Sequence, residues 1–437
     1  MEWLNKTRAF PEGDIKPFDF HPDKSCAIKI VVLRRGQPVK TKPTLKSDEN
    51  ETLTTEHDYV KWLRSDCPAP DKQQQPSLVL VMHSRLNGID SVSRVPLNAL
   101  ALPYKRDTFQ VANAKLFQHR SLLSVIKRGS TALFNNRQVA WGDAPLGTSI
   151  VYNCKSDTAF QPSSESPDDI ALSATSFVEC GATYAVMYGC KAQTIDLVSR
   201  ILRKFQDQAL HPLLIPMVFA ELERKRLFGM LDRKQTSLQQ RILDLENKLR
   251  GESQSGILEN AKNAQSAENA DITAQTRDCE STKLWIDVSS LKNGLESLKD
   301  QLVKMAEHSE ELAATVFKPP PAESAPGTDQ YAEERKTGER FAIRLREMVT
   351  EFDSKESNYY TRRDAKVAII IANLTKKDGS QMRSISLLGM LFLPGTFLAK
   401  DVFISNSLEA QAERCIGTLV RYVCVHVTLD LKPEILA

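Results

Sequence analysis

From Ile385 to Ala399 fifteen consecutive residues carry no charge, and this run ends abruptly at Lys400-Asp401. A single-helix membrane span needs roughly 20 predominantly apolar residues, whereas a run of about 10–14 more often marks a buried core helix. Fifteen falls between the two, so what precedes the run decides its meaning. Proline is absent from Tyr331 to Leu393, Phe341, Leu345, Met348 and Phe352 recur at 4, 3 and 4, and Val367–Ile371 and Leu374 add apolar content before the run. One helix over that stretch is roughly 95 Å long at 1.5 Å per residue. Gly338 and Gly379 each weaken it by about 1 kcal/mol, which makes Asp378-Gly379 the expected place for a break.

Arg362, Arg363, Lys366, Lys376, Lys377 and Arg383 all lie on the N-terminal side of the run. A basic flank of this kind marks the cytoplasmic side of a span. The opening MEWLNKTRAFPEGD has no apolar core of the secretory type, so residues 1–380 are expected in the cytosol. Pro394-Gly395 would stop a soluble helix but is tolerated inside a membrane.

Composition removes several function classes. The 58 basic residues are nearly matched by 55 acidic ones, and a net charge of +3 gives no footing for nucleic-acid binding. No G-x-G-x-x-G, P-loop, H-E-x-x-H or G-x-S-x-G string occurs, and seven scattered histidines form no catalytic pattern, so no enzyme is expected. His83 and His211 read as packing or turn residues. The eight cysteines show no C-x-x-C spacing and read as reduced thiols of a cytosolic core.

Residues 1–233 read as a mixed α/β domain. Ala27–Leu33 and Leu78–Met82 are short apolar runs expected as strands, and 169–178 and 184–187 are further strand candidates. Ile195, Val198, Ile201 and Leu202 have helical spacing. Pro216 limits how far any upstream helix extends. Leu238, Ile242, Leu245 and Leu249, and then Leu291, Leu295, Leu298, Leu302 and Met305, repeat at 4 and 3. They predict a helical coiled-coil hairpin over 234–317, with 251–281 poor in large apolar groups and flexible. Lys318–Gly327 holds four prolines in ten residues, so 318–330 is a linker.

Three strings resemble the CorA-type divalent-cation transporter superfamily, in particular the divergent CorA-like proteins of filamentous fungi: HPLLIPMVFAELERKRLF (211–228), LKNGLESLKDQL (291–302) and RRDAKVAIIIANLTKKDGSQMRSISLLGMLFLPGTFLA (362–399). The resemblance implies a cytosolic α/β domain, a stalk helix continuing into a first transmembrane helix, a second transmembrane helix and a pentamer around the ion path. It implies Mg²⁺ or another divalent cation as the transported ion. The Gly-Met-Asn loop of prokaryotic members is not matched, because Leu391 follows Gly389-Met390. The stretch Ile416–Leu431 contains Arg421, His426 and Asp430, which is too polar for a second span.

The resulting expectation is an α+β chain: an N-terminal mixed α/β cytosolic domain, the helical coiled-coil hairpin, a stalk helix over 331–384, a short first transmembrane segment over 385–399 and an atypical tail over 400–437 without a second span. Its function is expected to be channel-type passage of a divalent cation, lost if the second transmembrane helix is missing. The alternative is a non-transporting coiled-coil interaction protein, cytosolic or membrane-tethered. A homo-oligomer and a membrane are the expected partners. Asn373, Gln381, Ser384 and Thr396 are the pore-lining candidates, because their side chains can hydrogen-bond an ion's hydrating water. Glu347, Glu351, Asp353 and Asp364 are either regulatory metal ligands between subunits or a solvated face with i,i+4 pairs.

Overall fold

The computed structural model describes residues 15–16, 18–24, 27–35, 45–70, 76–86, 97, 99–127, 133–141, 148–156, 168–204, 210–255, 293–321 and 331–377. Up to Thr361 the chain forms one compact unit, and Arg362 begins a second, of which the end of one helix is described. The fold is mixed α+β. Nine strands run in chain order: β1 (Asp19–Phe20), β2 (Ile28–Arg35), β3 (Leu45–Leu53), β4 (Ser77–Ser84), β5 (Ala101–Leu102), β6 (Leu133–Ala140), β7 (Thr148–Lys155), β8 (Ala171–Phe177) and β9 (Ala182–Cys190). The helices are α1 (Glu56–Ser65), α2 (Arg106–Lys115), α3 (Ser121–Lys127), α4 (Ala192–Lys204), α5 (Leu214–Ser255), α6 (293–315) and α7 (Ala332–Lys377).

Seven strands make one sheet in the order β3-β2-β4-β9-β8-β7-β6. Two antiparallel halves, β3-β2-β4 and the meander β6 to β9, meet at the parallel pair β4·β9. Both faces of that seam are covered, which is why SLVLVMHS and ATYAVMYGC are buried along nearly their whole length. Alternation then sends Leu78, Leu80, Met82, Ala185 and Met187 into one core and Val79, Val81, Tyr184, Val186 and Tyr188 into the other.

The first core lies under α4 to α7 and the second under α1 to α3, giving three layers. Helix α1 is opened by Thr55, whose hydroxyl accepts the Asp58 amide at 3.1 Å, and it buries Tyr59, Trp62 and Leu63. Helix α4 carries the predicted spacing, with Val198 and Leu202 buried and Ile195 and Ile201 partly so. Pro216 is the third residue of α5, where its missing N–H has no intrahelical partner to lose.

Ion pairs fix the directions of the long helices. Glu221, Arg224 and Asp232 of α5 meet Arg344, Glu351 and Lys355 of α7, with numbers rising together, so these two helices run parallel. Lys299 and Glu310 of α6 meet Asp353 and Arg346 of α7, with numbers opposed, so α6 runs back between them in sequence. Gly338 of α7 faces His211 and Ser309 of α6: a Cβ there would sit 3.1 Å from His211 Nε2 and 3.3 Å from Ser309 Oγ. The helix continues through this glycine, and the Ser309 hydroxyl donates to its carbonyl at 2.8 Å.

Helix α7 ends at Lys377 in the described residues. The expected break at Asp378-Gly379, the run 385–399 and the tail lie outside them. Among the described residues no helix is long and apolar enough to cross a membrane.

Candidate functional site

Five uncharged polar side chains, His83, Asn113, Gln118, Asn153 and Ser173, are buried on the α1–α3 side of the sheet. On the sheet, β9 and β8 set Tyr188 opposite Ala171 and Val186 opposite Ser173, and β7 sets Asn153 opposite Ser173. His83 of β4 lies beside Tyr188, its ring stacked at 5.1 Å and nearly parallel. Above them Asn113 closes α2, and the amide of Gln118 donates to the Asn113 carbonyl at 3.0 Å. The Tyr188 hydroxyl donates to Gln118 Oε1 at 2.7 Å, which ties the helical layer to the His83 row.

His83, Asn113, Gln118, Asn153 and Ser173 are each at most 3% exposed. Seven of their side-chain atoms find no hydrogen-bond partner among the described residues: both His83 nitrogens, both Asn113 amide atoms, Gln118 Nε2, Asn153 Oδ1 and Ser173 Oγ. Tyr59 Oη and Trp62 Nε1, on the α1 side of His83, are in the same position. A buried polar group left unmet costs about 1–3 kcal/mol.

The backbone over the cluster is also unusual. Phe117 has φ of 51°, a left-handed conformation that costs a bulky residue about 1–3 kcal/mol. Its ring is held against Trp141, Phe177 and Tyr184, and its carbonyl accepts the Thr175 hydroxyl at 2.6 Å. That turn is what points Gln118 at Tyr188. Burial keeps the rings here neutral: His83 is pushed down to about 3 by burial, and His119 to about 4 by burial and then by Arg137 and Arg120.

At the carboxyl ends of β4 and β9 a second arrangement closes the layer. Arg85 donates to Asp169 Oδ1 at 2.7 Å, to the Asp169 carbonyl and to the Leu97 carbonyl at 3.0 Å, with both charged side chains buried. Gly189 (φ +75°) passes so close that a Cβ would lie 2.6 Å from Ala99 Cβ and 2.8 Å from the Asp169 carbonyl. Arg85 thus clamps three chain segments, and its partners are protein groups.

The helical layer is chemically different. Glu223, fully buried on α5, makes a two-pronged pair with Arg226 at 2.6 and 2.7 Å and accepts the Ser156 hydroxyl at 2.7 Å. Arg344 reaches Glu221 at 2.8 Å, Glu351 at 2.8 Å and Glu347 at 3.2 Å, and Arg224 joins Glu221 and Glu351 at 2.9 Å. Asp353 pairs with Lys299 at 2.7 Å. The acidic stalk residues are thus held by arginine or lysine: Glu347 by Arg344 of the same helix, Glu351 by Arg344 and by Arg224 of α5, and Asp353 by Lys299 of α6. The Asp364 side chain is outside the described residues. Among the described residues no group of three or more His, Cys, Asp or Glu is arranged to hold a metal ion.

Of the pore-lining candidates, Asn373 lies on α7 with its side chain outside the described residues, and Gln381, Ser384 and Thr396 lie outside them altogether. The arrangement of the four thus lies outside the described residues. His211 is a turn residue: its Nδ1 accepts the Leu213 amide at 3.1 Å and its ring packs on Phe317 and Phe341. Cys67, Cys154, Cys180 and Cys190 are free thiols. The neutral cluster had no sequence signal, since its members are spread from 83 to 173.

No protein-family model matches the sequence, and no curated protein does. Among solved structures, that of the full-length CmaX protein matches with a TM-score of 0.34 and 12% identity, covering 93% of this chain and 98% of its own. A likeness at that level assigns neither fold nor activity to this chain.

Proposed function

We propose that this chain is a CorA-like membrane-associated protein, with α7 as the stalk that leads into a membrane segment at 385–399. The supporting observation is α7 itself, 46 residues without a break from Ala332 to Lys377. At 1.5 Å per residue it is about 69 Å long, over twice the roughly 30 Å diameter of a small domain. The end of this helix holds Arg362, Arg363, Lys366, Lys376 and Lys377, the basic residues that precede the uncharged run in sequence. The three strings that resemble the superfamily fall on the start of α5, on α6 and its approach, and on the end of α7 onward. In this reading the bulk of the chain is cytoplasmic, the assembly is a homo-pentamer, and a divalent cation such as Mg²⁺ passes down its gradient along Asn373, Gln381, Ser384 and Thr396.

The coiled-coil alternative loses one of its two stripes. Leu295, Leu298, Leu302 and Met305 are buried in the same core as Phe341, Leu345, Met348 and Phe352, so that seam is occupied within the chain. The side chains of Leu238 to Leu249 lie outside the described residues.

Expression of the full chain followed by alkaline carbonate washing tests the membrane reading. Retention in the membrane pellet is expected, and complete release into the wash removes it. A Mg²⁺-sensitive dye inside liposomes holding the purified chain tests passage: influx that drops on Asn373→Leu is expected, and no influx beyond empty liposomes removes the transport part.

A further inference from the structure

We draw no further inference here: the strongest candidate, the cluster of basic residues Arg362, Arg363, Lys366, Lys376 and Lys377 along the end of α7, belongs to the membrane flank already described, and its side chains lie outside the described residues.

Discussion

The two faces of the central sheet handle buried polarity in opposite ways. On the α5–α7 face the polar groups are charged and matched: Glu223 with Arg226, Glu221 and Glu351 with Arg224 and Arg344, Lys299 with Asp353 and Glu356. On the α1–α3 face, apart from the Arg85–Asp169 pair and Lys155, they are neutral, and seven atoms of five side chains find no hydrogen-bond partner among the described residues. Charge pairing suits long helices, because a pair is satisfied in one register and so fixes helix direction. Neutral groups can be buried without the several kcal/mol per ion that burying charge demands. The pairs of the first face specify an arrangement of helices.

The largest expected effect breaks the charged face. Glu223→Ala leaves Arg226 deeply buried beside a lost partner, and removal of one member of a buried pair costs about 3–5 kcal/mol. The urea midpoint of the full chain should fall accordingly, while the double variant Glu223→Leu/Arg226→Met should recover most of the loss. A single variant as stable as wild type would show that neither this pair within α5 nor the Ser156 hydrogen bond to Glu223 contributes to stability.

Leu302→Ala is the apolar counterpart. Leu302 is fully buried between α6, α7 and the sheet, and such a truncation costs about 2–5 kcal/mol. Thermal melting of the variant checks it. A loss well under that range would mean that α6 packs loosely, and the seam Leu295 to Met305 would again be available to a second chain.

The same contrast explains what could be read in advance. Central strands β2, β4, β8 and β9 are covered on both sides and so stand out as apolar runs. The edge strand β3 (LKSDENETL) pairs with β2 alone and has no such run, and β6 (LFNNRQVA) pairs only with β7. Short helices α1 to α3 give too few turns for a clear period. Heptad spacing revealed the helical layer because periodicity is local. The parallel β4·β9 seam joins residues about a hundred apart in sequence, and no local pattern records that pairing. Glu351 and Asp353 looked like a solvated stripe or metal ligands for the same reason: Arg224 on α5 and Lys299 on α6 are far away in sequence.

Acid should reach the neutral face first. His83 is held at about 3 and His119 at about 4 in the folded chain, against 6.5 ordinarily, chiefly by burial. Between those limits the unfolded chain takes up protons that the folded chain refuses, so stability rises with pH and falls on acidification below 6.5. His211, held at about 3 by burial and by His308, adds a loss of the same sign from the helical side. From pH 6.5 to 4.5, one such histidine removes roughly 2–3 kcal/mol, at about 1.4 kcal/mol per pH unit. His83→Phe should therefore flatten the pH dependence of the urea midpoint in that window. A slope equal to wild type would place a proton on His83 in the folded state.

The smallest effect belongs to the exposed rim of the charged face. Arg344 is about one-third exposed, so each of its pairs is worth about 0–1 kcal/mol and is weakened by salt. Burial pushes the Glu221 carboxyl up, but the hydrogen bonds and charges of Arg344 and Arg224 outweigh it, leaving the group below its ordinary value. A lowered carboxylate contributes stability above its unfolded value and loses it as pH falls through the folded one. Arg344→Met should thus lower the melting temperature slightly at neutral pH and low salt. The gap from wild type should close in high salt, and again in acid once Glu221 protonates. A gap that stays constant across both titrations would mean that Arg344 acts through the packing of its stem against α5, and that the rim charges do not set the parallel register of α5 and α7.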